Sequence, residues 1–320
     1  MPHASIGVDI GGTNVKLGLV SPQGKVILRD TFSTRDHPGR EALLRKLVTH
    51  LELLKKEAKF RRLKLAGVGI GAPGPIDVER GFVYFFPNIP GWKDTPLKKI
   101  LEKRIHLPVR VDNDANVMAW AEFIFGAGKG CRNMIALTLG TGLGGGIVLE
   151  GQLFHGPHFS AAEIGHIVID PNGPLCGCGN RGCVETFVGN SYFVRDVREH
   201  LEAGGKSILQ QWVNKEGREL TPQLVQEAAR LGDKLSQGQW QKAGAYLGTA
   251  LAGLVNVLNP ERIILGGGMA QKGAPIFGPV RAAIKKKAFP IAGRFVKVLP
   301  AVLGPEAGLI GGAALFFSPK

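Results

Sequence analysis

This chain of 320 residues is short of several things that would otherwise define it. No uninterrupted apolar run is long enough to cross a bilayer, so a helical membrane anchor and a membrane partner are not expected. No Gly-Lys-Ser/Thr opens a helix, so the usual P-loop is not the phosphate cradle. There is no Cys-x-x-Cys redox pair, and only four cysteines in all. A leader pattern is missing too. Met1-Pro2-His3-Ala4 leads straight into strand-like Ser5-Ile6-Gly7-Val8, so a reducing cytoplasm is expected, where clustered cysteines favour metal over disulfides. Acids are outnumbered, 26 against 40 lysines and arginines, giving a net charge of +14.

That charge would suit a nucleic acid or a nucleotide. The cations, however, follow helix faces, as from Arg45-Lys46 to Lys55-Lys56. Lys285-Lys286-Lys287 is short and has no interleaved aromatics, so it reads as a solvated face and no nucleic-acid partner is expected. The length predicts two domains. Apolar residues at 44% suffice for packed cores, and the 46 glycines gather in short motifs, which speaks for functional turns over a low-complexity linker.

Three of the four cysteines fall within eight residues: Cys176-Gly-Cys178-Gly-Asn-Arg-Gly-Cys183. His166 lies upstream, with nine residues between it and Cys176. One imidazole and three thiolates complete a tetrahedral zinc set and leave no open position for water, so the expected Zn²⁺ is structural. Glu163 and Glu185 bracket it, as if the metal held a loop that presents acids to a small ligand. Cys131, outside the cluster, reads as an ordinary buried thiol.

The chain opens with three strand-like segments, 6–10, 15–20 and 26–32, then a helix over about 40–59 in which Leu43, Leu44, Leu47, Val48, Leu51 and Leu54 share one face. Buried strands follow at 65–70 and 109–111, and a helix runs from about Asp114 to Gly126. Strand, glycine turn and strand then recur at 134–149. Asp9-Ile-Gly-Gly-Thr13 and Thr138-Leu-Gly-Thr-Gly142 each head a half, which predicts a duplicated βββαβα unit. In the second half Thr221-Pro222 signals a helix start. A helix rich in glycine and alanine is expected over 246–258, and a strand at 262–265. Residues 190–245 say least.

Four motifs carry chemistry. In Asp9-Ile-Gly11-Gly12-Thr13-Asn-Val-Lys16 the glycines allow amide N–H groups to reach phosphate, Thr13 adds a hydroxyl, Asp9 is placed to hold Mg²⁺ through water, and Lys16 adds charge. Gly140-Thr141-Gly142 supplies the opposing jaw. Gly266-Gly267-Gly268 ends a strand and leaves room for an adenine or ribose. Three glycine clusters, each after a strand, point to a nucleotide, although each alone suits a tight turn. In Asp112-Asn113-Asp114-Ala-Asn116 the acid at a strand–helix junction suits a general base, and Asn113 suits a sugar hydroxyl. N-capping by Asn113 or Asp114 also explains these residues, but a carboxylate can be both cap and base; Asp112, at the end of the strand, is the poorer base.

Together with Gly71-Ala-Pro-Gly74 and Asn88-Ile-Pro-Gly-Trp92, these motifs resemble the ROK family of sugar kinases and sugar-responsive repressors, within the actin–hexokinase superfamily, over nearly the whole chain. The resemblance implies an α/β protein of two actin-like (ribonuclease H-like) domains with a cleft between them. The first would span 1–117 plus about 304–320, and the second 118–303 with the zinc loop. It implies ATP- and Mg²⁺-dependent phosphorylation of a hexose, usually at O6. Asp114 matches the base, and Gly74, Asn113, Glu163, His166 and Glu185 the sugar ligands. His166, Cys176, Cys178 and Cys183 match the zinc ligands. A homo-oligomer, dimer or tetramer, follows by analogy. The stretch from Pro87 to Trp92 resembles bacterial glucokinases and makes D-glucose the first choice. N-acetylmannosamine, N-acetylglucosamine and fructose stay open, as does a polyphosphate donor. A sugar-sensing regulator would carry a DNA-binding domain before Asp9, and none is expected here. Phe159 and Ala162 stand where the family usually has glycine, beside the sugar.

Overall fold

The structure is a computed structural model that describes residues 3–87 and 89–317. Met1, Pro2 and Asn88, used in the sequence argument, lie outside the described residues. The chain divides into two compact units. The first takes the chain up to Arg132, then Gly146–Ala162, then everything from Leu303 on; the second takes Asn133–Gly145 and Glu163–Val302.

In the first unit β1 (His3–Ile10), β2 (Asn14–Val20) and β3 (Val26–Ser33) form an antiparallel meander. The chain continues through α1 (Arg40–Phe60), β4 (Lys64–Ala72), the short strands β5 (Ile76–Asp77), β6 (Phe82–Phe85) and β7 (Lys93–Thr95), α2 (Leu97–Ile105), β8 (Val109–Asn113) and α3 (Asp114–Ile124). The main sheet has the order β3-β2-β1-β4-β8, with β4 parallel to β1 and β8. β1 reads as a nearly continuous buried run, as expected of a central strand covered on both faces. The leucines of α1 at 43, 44, 47, 51 and 54 are all buried, so the stripe seen in the sequence is the face that packs.

The second sheet opens with β9 (Met134–Leu139) and β10 (Leu143–Leu149), followed by β11 (Gln152–Leu153). Helices α4 (Glu185–Val188), α5 (Asn190–Glu202), α6 (Ile208–Asn214), α7 (Pro222–Arg230) and α8 (Lys234–Leu258) come next. Then come β12 (Arg262–Gly266), α9 (Phe277–Lys287), α10 (Pro290–Phe295), β13 (Lys297–Pro300) and, back in the first unit, α11 (Ala307–Ala314). The sheet order is β11-β10-β9-β12-β13. Each sheet therefore places its first three strands and its last two in the same order, and the duplicated α/β architecture is present.

The division along the chain differs from the one drawn at 117/118. α3 is one unbroken helix across that point, and it packs on α11, where Trp120 Nε1 donates to Ala314 O at 3.1 Å. The last helix also lies against β1 and β4. Glycine is required there: a Cβ at Gly7 or Gly69 would overlap the carbonyl oxygens of Leu309 and Gly312.

Thr221 caps α7 through Leu224 N, with Pro222 at the first helical position, as its sequence signalled. α8 starts twelve residues before the expected 246, because Asp233 caps it through Ser236 N. Lys285, Lys286 and Lys287 are exposed in the last turn of α9, where cations complement the helix dipole. Among the described residues no helix is long and apolar enough to cross a membrane.

Candidate active site and metal centre

The strand-to-helix turn after β8 is built by its own side chains. Asn113, in extended conformation, caps α3: its Oδ1 accepts from Ala115 N at 2.9 Å and Asn116 N at 3.4 Å. Its Nδ2 donates to Gly74 O at 3.2 Å, tying the turn to the loop after β4. The cap is therefore Asn113, and Asp114 stands exposed as the first residue of the helix, where the backbone amides favour negative charge. Beside Gly74 a cavity of about 740 Å³ opens, with Pro75, Tyr84, Phe85, Trp92 and His158 in its wall.

Asp112, by contrast, is 3% exposed and fully engaged. Its Oδ1 accepts from Asn113 N at 2.7 Å and from Asn116 Nδ2 at 2.9 Å, and its Oδ2 meets His155 Nε2 at 2.8 Å. Burial works against a charged His155, but the hydrogen bond and charge of Asp112 outweigh it and raise the imidazole above its ordinary 6.5. Sequence reasoning missed His155. No motif spacing links it to Asp112, 43 residues away.

The turn between β1 and β2 holds Gly11, Gly12 and Thr13. Gly12 and Thr13 are exposed, and Thr34 fixes the turn through its Oγ1 to Gly11 O at 2.8 Å. Asp9 faces Gly308, where a Cβ would come within 2.6 Å of its carboxyl carbon. Burial raises the pKa of Asp9 and the Lys16 charge opposes that shift. Lys16 sits opposite Asp9 in the register, and its Nζ donates to Pro305 O at 3.2 Å.

In the second unit Gly140, Thr141 and Gly142 make the β9–β10 turn, closed by Gly140 N to Gly142 O at 3.0 Å. Gly266 ends β12, and Gly267 and Gly268 follow it. Glu185, at the start of α4, reaches this turn: its Oε2 accepts from Leu143 N at 2.8 Å. Its Oε1 lies 3.7 Å from Cys176 Sγ. One carboxylate thus links the glycine turn to the cysteine loop. Glu163 is exposed, directly before the short 3₁₀ turn Ile164–His166.

His166, Cys176, Cys178 and Cys183 offer ligand atoms that all lie within 4.8 Å of one another. Cys178 Sγ and Cys183 Sγ are 3.6 Å apart, and Cys176 Sγ is 3.6 Å from His166 Nδ1. A tetrahedron with Zn–S arms of about 2.3 Å has edges of about 3.8 Å, so this cluster has the size of a structural Zn²⁺ site. With Nδ1 directed to the cysteines, Nε2 of His166 faces Glu163 Oε2 at 4.0 Å. Burial pushes the Cys183 thiol up to about 12, whereas the Asn180 backbone N–H holds Cys178 below its ordinary value. A metal would bind all three as thiolates.

Phe159 and Ala162 both adopt left-handed backbone, with φ of 56° and 67°. That conformation is strained for residues with a Cβ and costless for glycine. The glycines expected at these positions are therefore explained by the backbone, and this chain keeps the backbone without them.

The ROK family profile matches residues 5–318. The chain belongs to the ROK family. It is similar to the glucokinase of Thermotoga maritima, 38% identical over 312 residues that cover 97% of this chain and 96% of that protein. Among solved structures of the family it resembles a glucokinase from Streptomyces griseus in complex with glucose and AMPPNP. The TM-score is 0.80 at 36% identity, covering 98% of both chains. It also resembles a ROK transcriptional regulator, a homologue of the E. coli MLC protein. There the TM-score is 0.90 at 28% identity, covering 99% of this chain and 78% of that one.

Proposed function

We propose that this ROK protein is an ATP-dependent glucokinase that phosphorylates D-glucose at O6. The observation that carries the reading is the Asn113–Asp114 turn, with its cap satisfied and its carboxylate exposed, in a chain 38% identical end to end to a glucokinase. Asp114 takes the proton from the sugar hydroxyl as that oxygen bonds to the γ-phosphorus and ADP departs. Asn113, Gly74, Glu163, His166 and Glu185 hold the remaining hydroxyls. Gly11, Gly12 and Thr13, with Gly140, Thr141 and Gly142, receive the phosphates; Gly266, Gly267 and Gly268 receive the nucleoside.

Asp9 would hold Mg²⁺ through water, with Lys16 nearby. Burial raises the pKa of Asp9 and the Lys16 charge opposes that shift, as a bound cation would too. The metal supplies charge neutralisation on the transferring phosphoryl group. The Zn²⁺ site orders the loop between Glu163 and Glu185 and takes no part in the chemistry. We further place the protein in the cytoplasm as a homo-oligomer, dimer or tetramer, without a nucleic-acid partner; light scattering reads the assembly.

A coupled assay across glucose, N-acetylmannosamine, N-acetylglucosamine and fructose, with ATP and with polyphosphate, tests this reading. Turnover highest with glucose and ATP supports it. The likeness to the MLC homologue favours a second reading, a sugar-sensing regulator. That reading requires glucose binding with no ATP consumption.

A further inference from the structure

The turnover chemistry proposed above uses Asp114 and Asn113. It leaves unused the buried ion pair directly behind them. Asp112 spends Oδ1 on two donors that shape the turn, Asn113 N and the Asn116 amide, and Oδ2 on His155 Nε2 at 2.8 Å. A carboxylate that is 3% exposed needs every one of these partners, since a buried charge left short of a donor is costly and moves. His155 also anchors its own loop, because its carbonyl accepts from Ala161 N at 3.1 Å. That loop contains Phe159 in its left-handed conformation and runs on to Glu163.

Resting on the assignment of Asn113 and Asp114 to the acceptor hexose, we infer that His155 is a positioning residue. By donating to Asp112 it fixes the turn that aims Asn113 and Asp114, and it keeps the neighbouring carboxylate committed to structure and out of the reaction. The chain of contacts is short: His155 to Asp112, Asp112 to Asn116 and the Asn113 amide, Asn113 to Gly74. Without His155, Oδ2 of Asp112 loses its partner while Oδ1 still holds two, and the carboxylate rotates toward water. Asn116 and the Asn113 amide then lose their common acceptor. Asp114 follows directly in the chain, so its carboxylate shifts with them. A misplacement of about 1 Å at a reacting group can cost on the order of 100-fold in rate.

His155→Leu fills the volume and removes the donor; His155→Gln restores an N–H at about the same reach. Both are compared with wild type and Asp114→Asn for kcat, for KM of glucose and of ATP, and for melting temperature. The expected result is a fall in kcat of roughly 10- to 100-fold in His155→Leu with a raised KM for glucose. The KM for ATP should be unchanged, and His155→Gln should recover most of the loss. Wild-type kcat in His155→Leu, or a Gln variant as impaired as the Leu variant, overturns the inference. So does a parallel rise in both KM values, which would mark general damage to the fold. Asp114→Asn keeps the two readings apart. If it retains near-normal turnover the base assignment fails, and with it the claim that His155 keeps Asp112 out of the reaction, while the positioning role of His155 is still judged on the Leu–Gln comparison.

Discussion

Gly142 lies against Glu185: a Cβ at position 142 would overlap the carboxylate oxygen that accepts from Leu143 N. The two residues belong to different proposed sites, nucleotide and sugar, yet no side chain can be added at 142 without displacing the Glu185 carboxylate. Gly142→Val should therefore raise the KM for glucose as well as for ATP. Gly140, two residues earlier, has open space where a Cβ would go. Gly140→Val should raise the KM for ATP severalfold and leave that for glucose alone. Steady-state kinetics with each substrate varied in turn checks both, and an ATP KM untouched by Gly140→Val would remove this turn from the nucleotide site.

Asp114→Asn keeps the shape of the side chain and removes its capacity to take a proton. Turnover should drop by about 10²- to 10⁴-fold, while glucose still binds by calorimetry. Asp112→Asn should lower turnover less and the melting temperature more, because Asp112 is buried among three donors. The reverse ranking on turnover would move the base to Asp112.

Zinc should be found at one ion per chain by elemental analysis. Cys183→Ser should abolish it, lower the melting temperature and raise the KM for glucose, because the metal orders the loop between Glu163 and Glu185. Turnover at saturating glucose should fall less. A zinc-free variant with unchanged glucose affinity would reduce the metal to a stabiliser.

The left-handed conformation costs a residue with a Cβ about 1–2 kcal/mol. Part of the relief in Ala162→Gly is offset by the entropy glycine brings to the unfolded chain, about 0.4–1 kcal/mol. A net gain of up to about 1 kcal/mol should remain, seen as a rise in melting temperature of up to about 4 °C. A fall in melting temperature would contradict the backbone assignment.

His155 also gives stability a pH dependence of known sign. Its native pKa lies above the ordinary 6.5 because of Asp112, so protonation favours the folded state. That contribution is complete below about pH 6.5 and is lost as pH rises through the raised native value. The melting-temperature gap between wild type and His155→Gln should narrow from about pH 6 to about pH 9. A gap that widens over that interval refutes the pairing.

The residues differ in how plainly they announced themselves. The two glycine-turned hairpins and the leucine stripe of α1 follow from local chemistry and were legible, as was the His166–Cys183 spacing. The small sheet of β5, β6 and β7 was not, since strands of two to four residues carry no period. α5, α6 and the first half of α8 escaped because their polar faces dilute the apolar pattern. Their starts depend on single caps, Ser207 for α6 and Asp233 for α8. In the candidate site, motif residues could be named singly, but their couplings could not. Gly142 with Glu185, and His155 with Asp112, are meetings across 43 positions each, and only the folded backbone produces them.

The glycine seam between α11 and β1 has a consequence for synthesis. Every strand of the first sheet has been synthesised by Asn113, but the helix that covers Gly7 and Gly69 is completed only at Ala314, roughly 200 residues later. At the usual 5–20 residues per second, that face waits on the order of 10–40 s for its cover. During that interval the nascent sheet offers a bare apolar surface to chaperones or to other nascent chains. A premature stop shortly before position 307 would make the exposure permanent, and degradation rather than partial activity is the expected fate of such a product.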